Sequence, residues 1–152
     1  MVLARKVREL LAMPADDFDV VVRIAREEDI AIARQTAKQL AQESGFSLAD
    51  VTKIATAVSE LARNIYRYAQ TGKIMIRKRL EENGGPIIQA VAIDQGPGIE
   101  DVELVLTKGY TTYERSLGIG LSGIKRLVDY FEIVSEVGKG TAVMFEKRRR
   151  KF

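Results

Sequence analysis

The stretch Ile93-Asp-Gln-Gly-Pro-Gly98 decides how the rest of this chain is interpreted. An apolar run from Ile87 to Ile93 precedes it and ends in Asp94, and two glycines around a proline follow. The run predicts a buried strand, and the glycines predict a loop whose backbone can approach a ligand closely. A carboxylate at the end of a buried strand, followed by such a loop, suits a nucleotide pocket.

The composition indicates a folded domain and excludes two classes of chemistry. The chain has 152 residues, of which 46% are hydrophobic, and this favours one domain with one core. It contains no cysteine, so disulfides and thiol chemistry are excluded and a cytoplasmic location is expected. It contains no histidine, which excludes a histidine general base and an autophosphorylated histidine.

Charge and hydropathy argue against nucleic acid and membranes as partners. The net charge is +3, which is too small to indicate nucleic-acid binding. No apolar run approaches the roughly 20 residues that cross a bilayer. The basic N-terminal segment lacks the long apolar core of a signal peptide. We therefore expect a partner that is neither nucleic acid nor a membrane.

The two ends of the chain are predicted to lie outside the domain. Residues 1–17 form an N-terminal extension with apolar side chains at helix-like positions Val7, Leu10 and Leu11. We expect it to be a frayed, flexible end, with a docking segment as the alternative. Residues 18–147 form a single domain. The basic segment 147–151 is expected to be solvated, and residues 148–152 form a basic tail.

The first half of the domain is predicted to form one edge strand and two helices. Residues 18–24 alternate in polarity, which predicts the strand. Residues 28–43 carry an apolar stripe and predict a helix. Ser47 and Asp50 form a start similar to a capping box for a second helix, which is expected to run to about Ala69.

The polar face of this second helix carries two side chains that could perform chemistry. Glu60 and Asn64 are four residues apart, so they project side by side. One interpretation is a solvated polar face, as on most helices. The other is a carboxylate base beside an oxygen ligand for Mg²⁺, which needs few protein ligands when phosphate oxygens complete its coordination.

The second half of the domain adds two hairpins and a polar segment. The expected strands are residues 73–80, 87–94, 132–137 and 141–147, and the expected helices are residues 99–106 and 121–131. Turn residues at 83–86 and 138–140 separate the strands of each hairpin. Residues 107–117 are polar and are expected to form a lid. The count is about five strands and four helices, which predicts an α+β fold with a mixed sheet and its helices on one face.

A glycine-rich segment precedes the last predicted helix. Gly118-Ile-Gly120-Leu-Ser-Gly123 matches the dinucleotide-binding pattern, but it follows a polar segment and not a strand, so we reject that interpretation. The glycines can still open a helix whose first amides hold phosphate. Close packing of the helix is the alternative.

Four motifs in this order resemble one superfamily. Glu60-Leu-Ala-Arg-Asn64, Asp94-Gln-Gly96-Pro-Gly98, Gly118-Ile-Gly120-Leu and Gly138-Lys-Gly140-Thr141 are similar to the four nucleotide-binding boxes of the GHKL ATPases and kinases. Over residues 20–147 the chain resembles the small anti-sigma-factor serine/threonine kinases, and in particular the switch kinases of the stressosome. The resemblance implies the Bergerat fold, a two-layer α/β sandwich that binds ATP.

The resemblance implies a role for each motif residue. Glu60 would be the catalytic general base, and Asn64 the protein ligand of Mg²⁺. Asp94 would bind the adenine amino group with support from Thr141, and Arg63 and Arg67 would meet the protein substrate. The remaining residues implied to bind ATP are Gly96 and Gly98 at the base and ribose, and Gly118, Ile119, Gly120 and Leu121 at the phosphates. Lys108, assigned here to ATP binding, could add positive charge at the phosphates, as could Arg115 or Lys125, and the sequence does not choose among the three.

The resemblance also implies an activity and partners. The γ-phosphoryl of Mg·ATP would pass to a serine or threonine of a STAS-domain antagonist that sequesters the kinase. The released kinase would then activate a downstream PP2C-type phosphatase in stress signalling. The alternative is an anti-sigma factor that binds a sigma subunit in a nucleotide-dependent way. The chain contains neither a Walker A sequence nor the motif set of eukaryotic protein kinases.

Overall fold

A computed structural model describes residues 12, 14–82, 84–103, 106 and 120–150. In that part of the chain it contains five strands, three α-helices, a 3₁₀ turn at Ala15–Asp17 and a π-helical turn at Ile65–Ala69. The strands are β1 (Val20–Ile24), β2 (Gly72–Leu80), β3 (Pro86–Asp94), β4 (Tyr130–Glu136) and β5 (Gly140–Arg148). The helices are α1 (Glu28–Glu43), α2 (Leu48–Asn64) and α3 (Gly120–Leu127).

The five strands form one sheet in the order β1-β2-β3-β5-β4. All four neighbouring pairs are antiparallel, so the prediction of a mixed sheet is wrong. The connections explain the difference. Two helices separate β1 from β2, so the chain crosses the molecule twice and returns antiparallel to β1. Strands β3 and β4 run parallel to each other, but β5 lies between them and is antiparallel to both.

One face of the sheet carries the helices. A single apolar core joins the inward residues of α1, α2 and α3 to side chains of the sheet, with β4 contributing partly buried side chains. Residues such as Ile54, Val58, Ile74, Ile88 and Phe145 are fully buried in it. The predicted two-layer α+β fold is therefore confirmed. Across the described residues, no helix is both long enough and apolar enough to span a membrane.

Two element boundaries differ from the sequence prediction. Residues 121–131 were expected to be one helix, but α3 ends at Leu127 and β4 begins at Tyr130. The aromatic side chains of Tyr130 and Phe131 suit a strand, and both residues pair with β5, opposite Glu146 and Phe145. In the expected helix 99–106, residues 102, 103 and 106 are helical. The expected lid, residues 107–117, lies outside the described residues.

The basic end of the chain is held more firmly than expected. β5 continues to Arg148, and Lys147 is only 2% exposed. Its Nζ lies 3.7 Å from both Asp50 Oδ1 and Asp129 Oδ2, and Arg149 Nη1 donates to the Ser44 carbonyl. The prediction of a solvated segment is therefore wrong at Lys147, because two carboxylates from other elements compensate its burial.

Candidate active site

Helix α2 places Glu60 at the boundary with α3. The Ser47 hydroxyl accepts the Asp50 amide at 3.2 Å and caps the helix, while Val51, Ile54, Val58 and Leu61 anchor its apolar side in the core. Glu60 is only 3% exposed. Arg63 Nη1 donates to Glu60 Oε1 at 2.5 Å, and the Gly120 amide donates to Oε2 at 3.4 Å. The interpretation of this face as simply solvated is therefore wrong at Glu60.

Asn64 is the last residue of α2 and is half-buried. Its side chain makes no hydrogen bond to another described residue. The helical backbone reaches Ala69 as expected, but it changes from α-helix to a π-helical turn over Ile65–Ala69. Such turns are frequent at functional sites. Nothing in the residue pattern distinguishes this turn from one more α-helical turn, so the sequence could not reveal it.

The loop after β3 packs directly onto the end of this turn. A Cβ atom on Gly96 would lie 2.6 Å from the Ala69 Cβ, so only glycine allows this approach. The Gly96 amide donates to Asp94 Oδ1 at 2.9 Å. A Cβ on Gly98 would overlap the Glu136 carbonyl, and the Gly138 amide donates to the Pro97 carbonyl. The glycines predicted to surround a nucleotide therefore fix the loop between the π-helical turn and the β4–β5 hairpin.

Asp94 and Thr141 lie opposite each other on β3 and β5. Burial raises the pKa of the half-buried Asp94 carboxyl above its ordinary value, and the Gly96 and Thr141 amides oppose that rise. Burial of an ionised carboxylate is costly unless the group accepts hydrogen bonds, so this position favours a ligand that donates one. The structure thus brings together the two residues that the sequence assigned to adenine.

One polar residue of this region was missed by the sequence analysis. Ser135 on β4 is 2% exposed, and its hydroxyl accepts the Ile99 amide at 2.7 Å. The same hydroxyl lies 2.9 Å from Thr141 Oγ1 and 3.0 Å from the Gly140 carbonyl. It therefore links the segment after Gly98 to β5. Serine is common at solvated positions, so the sequence gives no sign that this hydroxyl is buried and bridges other segments.

Gly140→Ala is expected to destabilise the fold more than Gly138→Ala. Both glycines have positive φ, but a Cβ on Gly138 has open space, whereas one on Gly140 would overlap the Asp94 carbonyl. Gly138→Ala should cost about 1–2 kcal/mol for its backbone conformation. Gly140→Ala should cost roughly 1–3 kcal/mol more for the overlap. Urea unfolding measures both, and equal losses would contradict the packing of this turn on Asp94.

Asp94→Asn is expected to stabilise the free protein at pH 7 while weakening ATP binding. Because the raised pKa means that the folded state binds the proton more tightly, the ionised carboxyl opposes folding at neutral pH. The gain in Tm should shrink as the pH falls and should vanish below 3.8, the ordinary pKa of the carboxyl, because Asp94 is then protonated in both states. ATP affinity should drop about tenfold, because a neutral acceptor replaces a charged one. The exposed Asp16→Asn is the control; a lower Tm for Asp94→Asn at pH 7 would contradict the argument.

The remaining predicted site residues divide into three groups. Gly120 begins α3. The Leu121 side chain lies in the core and is 8% exposed, so a phosphate could contact Leu121 only through its backbone amide. Arg63 pairs with Glu60, whereas Arg67 is exposed two residues into the π-helical turn. Lys108, Gly118 and Ile119 lie outside the described residues.

Similarity to known proteins agrees with this geometry. The model of the histidine kinase-like ATPase domain matches residues 24–147. The chain is 46% identical over 122 residues to serine/threonine-protein kinase RsbT of Bacillus subtilis, with 80% of this chain and 90% of that protein covered. It is 30% identical over 130 residues to anti-sigma F factor of Clostridium acetobutylicum, with 82% and 89% covered.

Two solved structures share the fold at low sequence identity. The RsbU and RsbW domains of Rv1364c from Mycobacterium tuberculosis superpose with a TM-score of 0.58 at 19% identity, covering 86% of this chain and 32% of that one, so this chain spans about a third of it. The mycobacterial sensor histidine kinase MprB gives 0.52 at 19% identity, covering 88% and 100%. From the family match over residues 24–147, this chain belongs to the histidine kinase-like (GHKL) ATPase domain family.

Proposed function

We propose that this chain, an RsbT-like serine/threonine kinase of the GHKL type, transfers the γ-phosphoryl of Mg·ATP to a serine or threonine of a STAS-domain antagonist of the stressosome. The observation that carries the proposal is the position of Glu60. Its buried carboxylate accepts the Gly120 amide at the start of α3, where phosphate-binding amides are expected. The similarity to RsbT over 80% of the chain supports the substrate class.

In this reaction Glu60 acts as the general base. It accepts the proton of the acceptor hydroxyl as that oxygen forms its bond to the γ-phosphorus, and the bond to the β-phosphate oxygen breaks to release ADP. The Arg63 and Gly120 contacts fix the carboxylate in place. Since a carboxylate offers about four acceptor sites, these two contacts leave room for the hydroxyl.

Asn64 is the residue that would hold Mg²⁺. Its half-buried carboxamide has no hydrogen-bond partner among the described residues, and one such oxygen suffices when phosphates and water supply the other ligands. The bound ion would neutralise charge on the phosphates. Asp94 would accept the adenine amino group with Thr141 beside it, and the amides of residues 118–121 with Lys108 would hold the phosphates.

Phosphorylation of the antagonist would release the kinase. The new group adds about −1.5 to −2 charge to an interface that had held a neutral hydroxyl. The freed kinase would then bind and activate a downstream PP2C-type phosphatase. We infer that residues 18–147 form the kinase domain, and the absence of cysteine favours a cytoplasmic location.

A release experiment tests this function against the sigma-binding alternative. The complex of the chain with a STAS-domain partner should dissociate on size-exclusion chromatography after addition of Mg·ATP, but not after a non-hydrolysable analogue. Persistence of the complex with Mg·ATP, together with nucleotide-dependent capture of a sigma subunit by the chain, would favour the anti-sigma function that similarity to anti-sigma F factors suggests.

A further inference from the structure

The sheet face opposite the helices is buried although the described residues place no helix on it. We call this face the outer face; its central side chains are those of Ile87, Gln89 and Val91 on β3 and Met144 on β5. All four are at most 1% exposed. Helices α1, α2 and α3 pack on the other side, in the main core. An uncovered face of an antiparallel sheet would be exposed to water, so a covering layer is required.

Phe18 shows where the chain reaches this face. It is 6% exposed and belongs to the outer-face cluster with Met75, Val91 and Met144. The Arg77 guanidinium lies 5.3 Å from the centre of its ring, which anchors it beside β2. Among the described residues of this cluster, Phe18 is the one that comes from outside the strands. The preceding residues therefore start from the β2 side of the outer face.

The far side of the outer face carries acidic groups. Glu132 Oε2 on β4 is buried and has no hydrogen-bond partner among the described residues. Glu146 on β5 is 4% exposed and accepts hydrogen bonds from Gln89 and Arg79. Glu146 is thus already paired with Arg79, but the Glu132 oxygen is not paired among the described residues, and a buried carboxylate oxygen without a partner is costly. This part of the face therefore favours a covering group that donates a hydrogen bond, such as a basic side chain.

Residues 1–11 have the pattern and the length for such a layer. Leu3, Val7 and Leu10 recur at spacings of four and three, and the same segment contains Arg5, Lys6 and Arg8. Eleven residues span about 16 Å as a helix. Three strand spacings, from β2 across β3 and β5 to β4, span about 14 Å. The segment is therefore long enough to cross from the Phe18 side to Glu132.

We propose that residues 1–11 lie across the outer face of their own chain as its covering layer. Their apolar side chains cover Val91 and Met144, and their basic side chains face Glu132 and Glu146. The extension is then part of the folded domain, contrary to the frayed end that the sequence suggested. It also occupies an apolar surface on which a second copy of the chain could otherwise pair.

A single tryptophan tests this proposal, because the chain contains none. Leu10→Trp places the reporter in the apolar stripe, and Ala12→Trp, at an exposed position, is the matched control. In the full-length chain, Leu10→Trp should show blue-shifted emission and several-fold weaker acrylamide quenching than Ala12→Trp. Adding Val7→Asp to Leu10→Trp should restore strong quenching, while cooperative unfolding and ATP binding are retained.

Two results would overturn the proposal. In one, Leu10→Trp is quenched as strongly as Ala12→Trp in a chain that sedimentation shows to be a monomer. In the other, shielding of Leu10→Trp rises with protein concentration in parallel with a dimer. That result would assign the covering layer to a second copy. Neither result bears on phosphoryl transfer, because the tested residues lie outside the candidate active site.

Discussion

Glu60→Gln is expected to lower the rate of phosphoryl transfer by about 10²–10⁴-fold, the usual contribution of a positioned general base. The glutamine carbonyl oxygen can still accept the Gly120 amide, so the start of α3 should stay in place. The amide cannot take up the proton of the acceptor hydroxyl. ATP affinity should therefore remain close to that of the parent chain. Single-turnover transfer at saturating ATP, combined with calorimetric ATP titration, separates the two quantities.

The matched control for this substitution is Glu43→Gln. Glu43 is an exposed glutamate at the end of α1, and the described contacts place it in an exposed hydrogen bond with Gln39. Its replacement should leave both transfer and ATP affinity unchanged. If Glu60→Gln transferred phosphate at the parent rate, the proton would have to leave by another route, and Glu60 would not be the base.

Asn64→Ala is expected to abolish the Mg²⁺-dependent part of ATP affinity. The side chain has no described hydrogen-bond partner whose loss would disturb the fold, and alanine is well tolerated in helices. Its effect should therefore be confined to the metal. Isothermal titration measures ATP affinity with and without Mg²⁺. For the parent chain, Mg²⁺ should strengthen ATP binding. For Asn64→Ala, the affinity should be the same with and without Mg²⁺ and equal to the weaker, Mg²⁺-free value of the parent.

Asn64→Asp provides the matched variant. It keeps an oxygen ligand at the same position and should retain Mg²⁺-dependent binding, because carboxylates are good magnesium ligands. Asn64→Ala with an undiminished response to Mg²⁺ would place the metal ligand elsewhere. Both variants change only residue 64, at the end of α2. The comparison therefore distinguishes loss of the oxygen that binds Mg²⁺ from disturbance of the helix end.

Local sequence patterns predicted several elements correctly but not how the strands pair in the sheet. Glu60, Asp94 and Thr141 were identified from motifs, and the structure brings Asp94 and Thr141 together and sets Glu60 against the start of α3. Local patterns also gave α1 with its observed ends, and both hairpins. These features depend on residues close together in the chain, where periodicity and turn chemistry are informative.

The features that the sequence did not predict depend on distant parts of the chain. The antiparallel arrangement follows from β5 lying between β3 and β4, which no local pattern specifies. Ser135 bridges segments that are distant in sequence, so its role is visible only in the folded chain. The burial of Lys147 likewise depends on its ion pair with Asp50, a residue far from it in the sequence. From the sequence alone, a basic run at the chain end is predicted to be solvated, because the sequence does not show which carboxylates lie beside it in the fold.

The most direct test of the central claim is the intact mass of a STAS-domain partner after incubation with Mg·ATP and this chain. A parallel reaction contains Glu60→Gln. The account predicts a gain of one phosphoryl group on a serine or threonine of the partner, and no gain with the variant over the same period. An unmodified partner, despite measured ATP binding by the chain, would contradict the proposed kinase function.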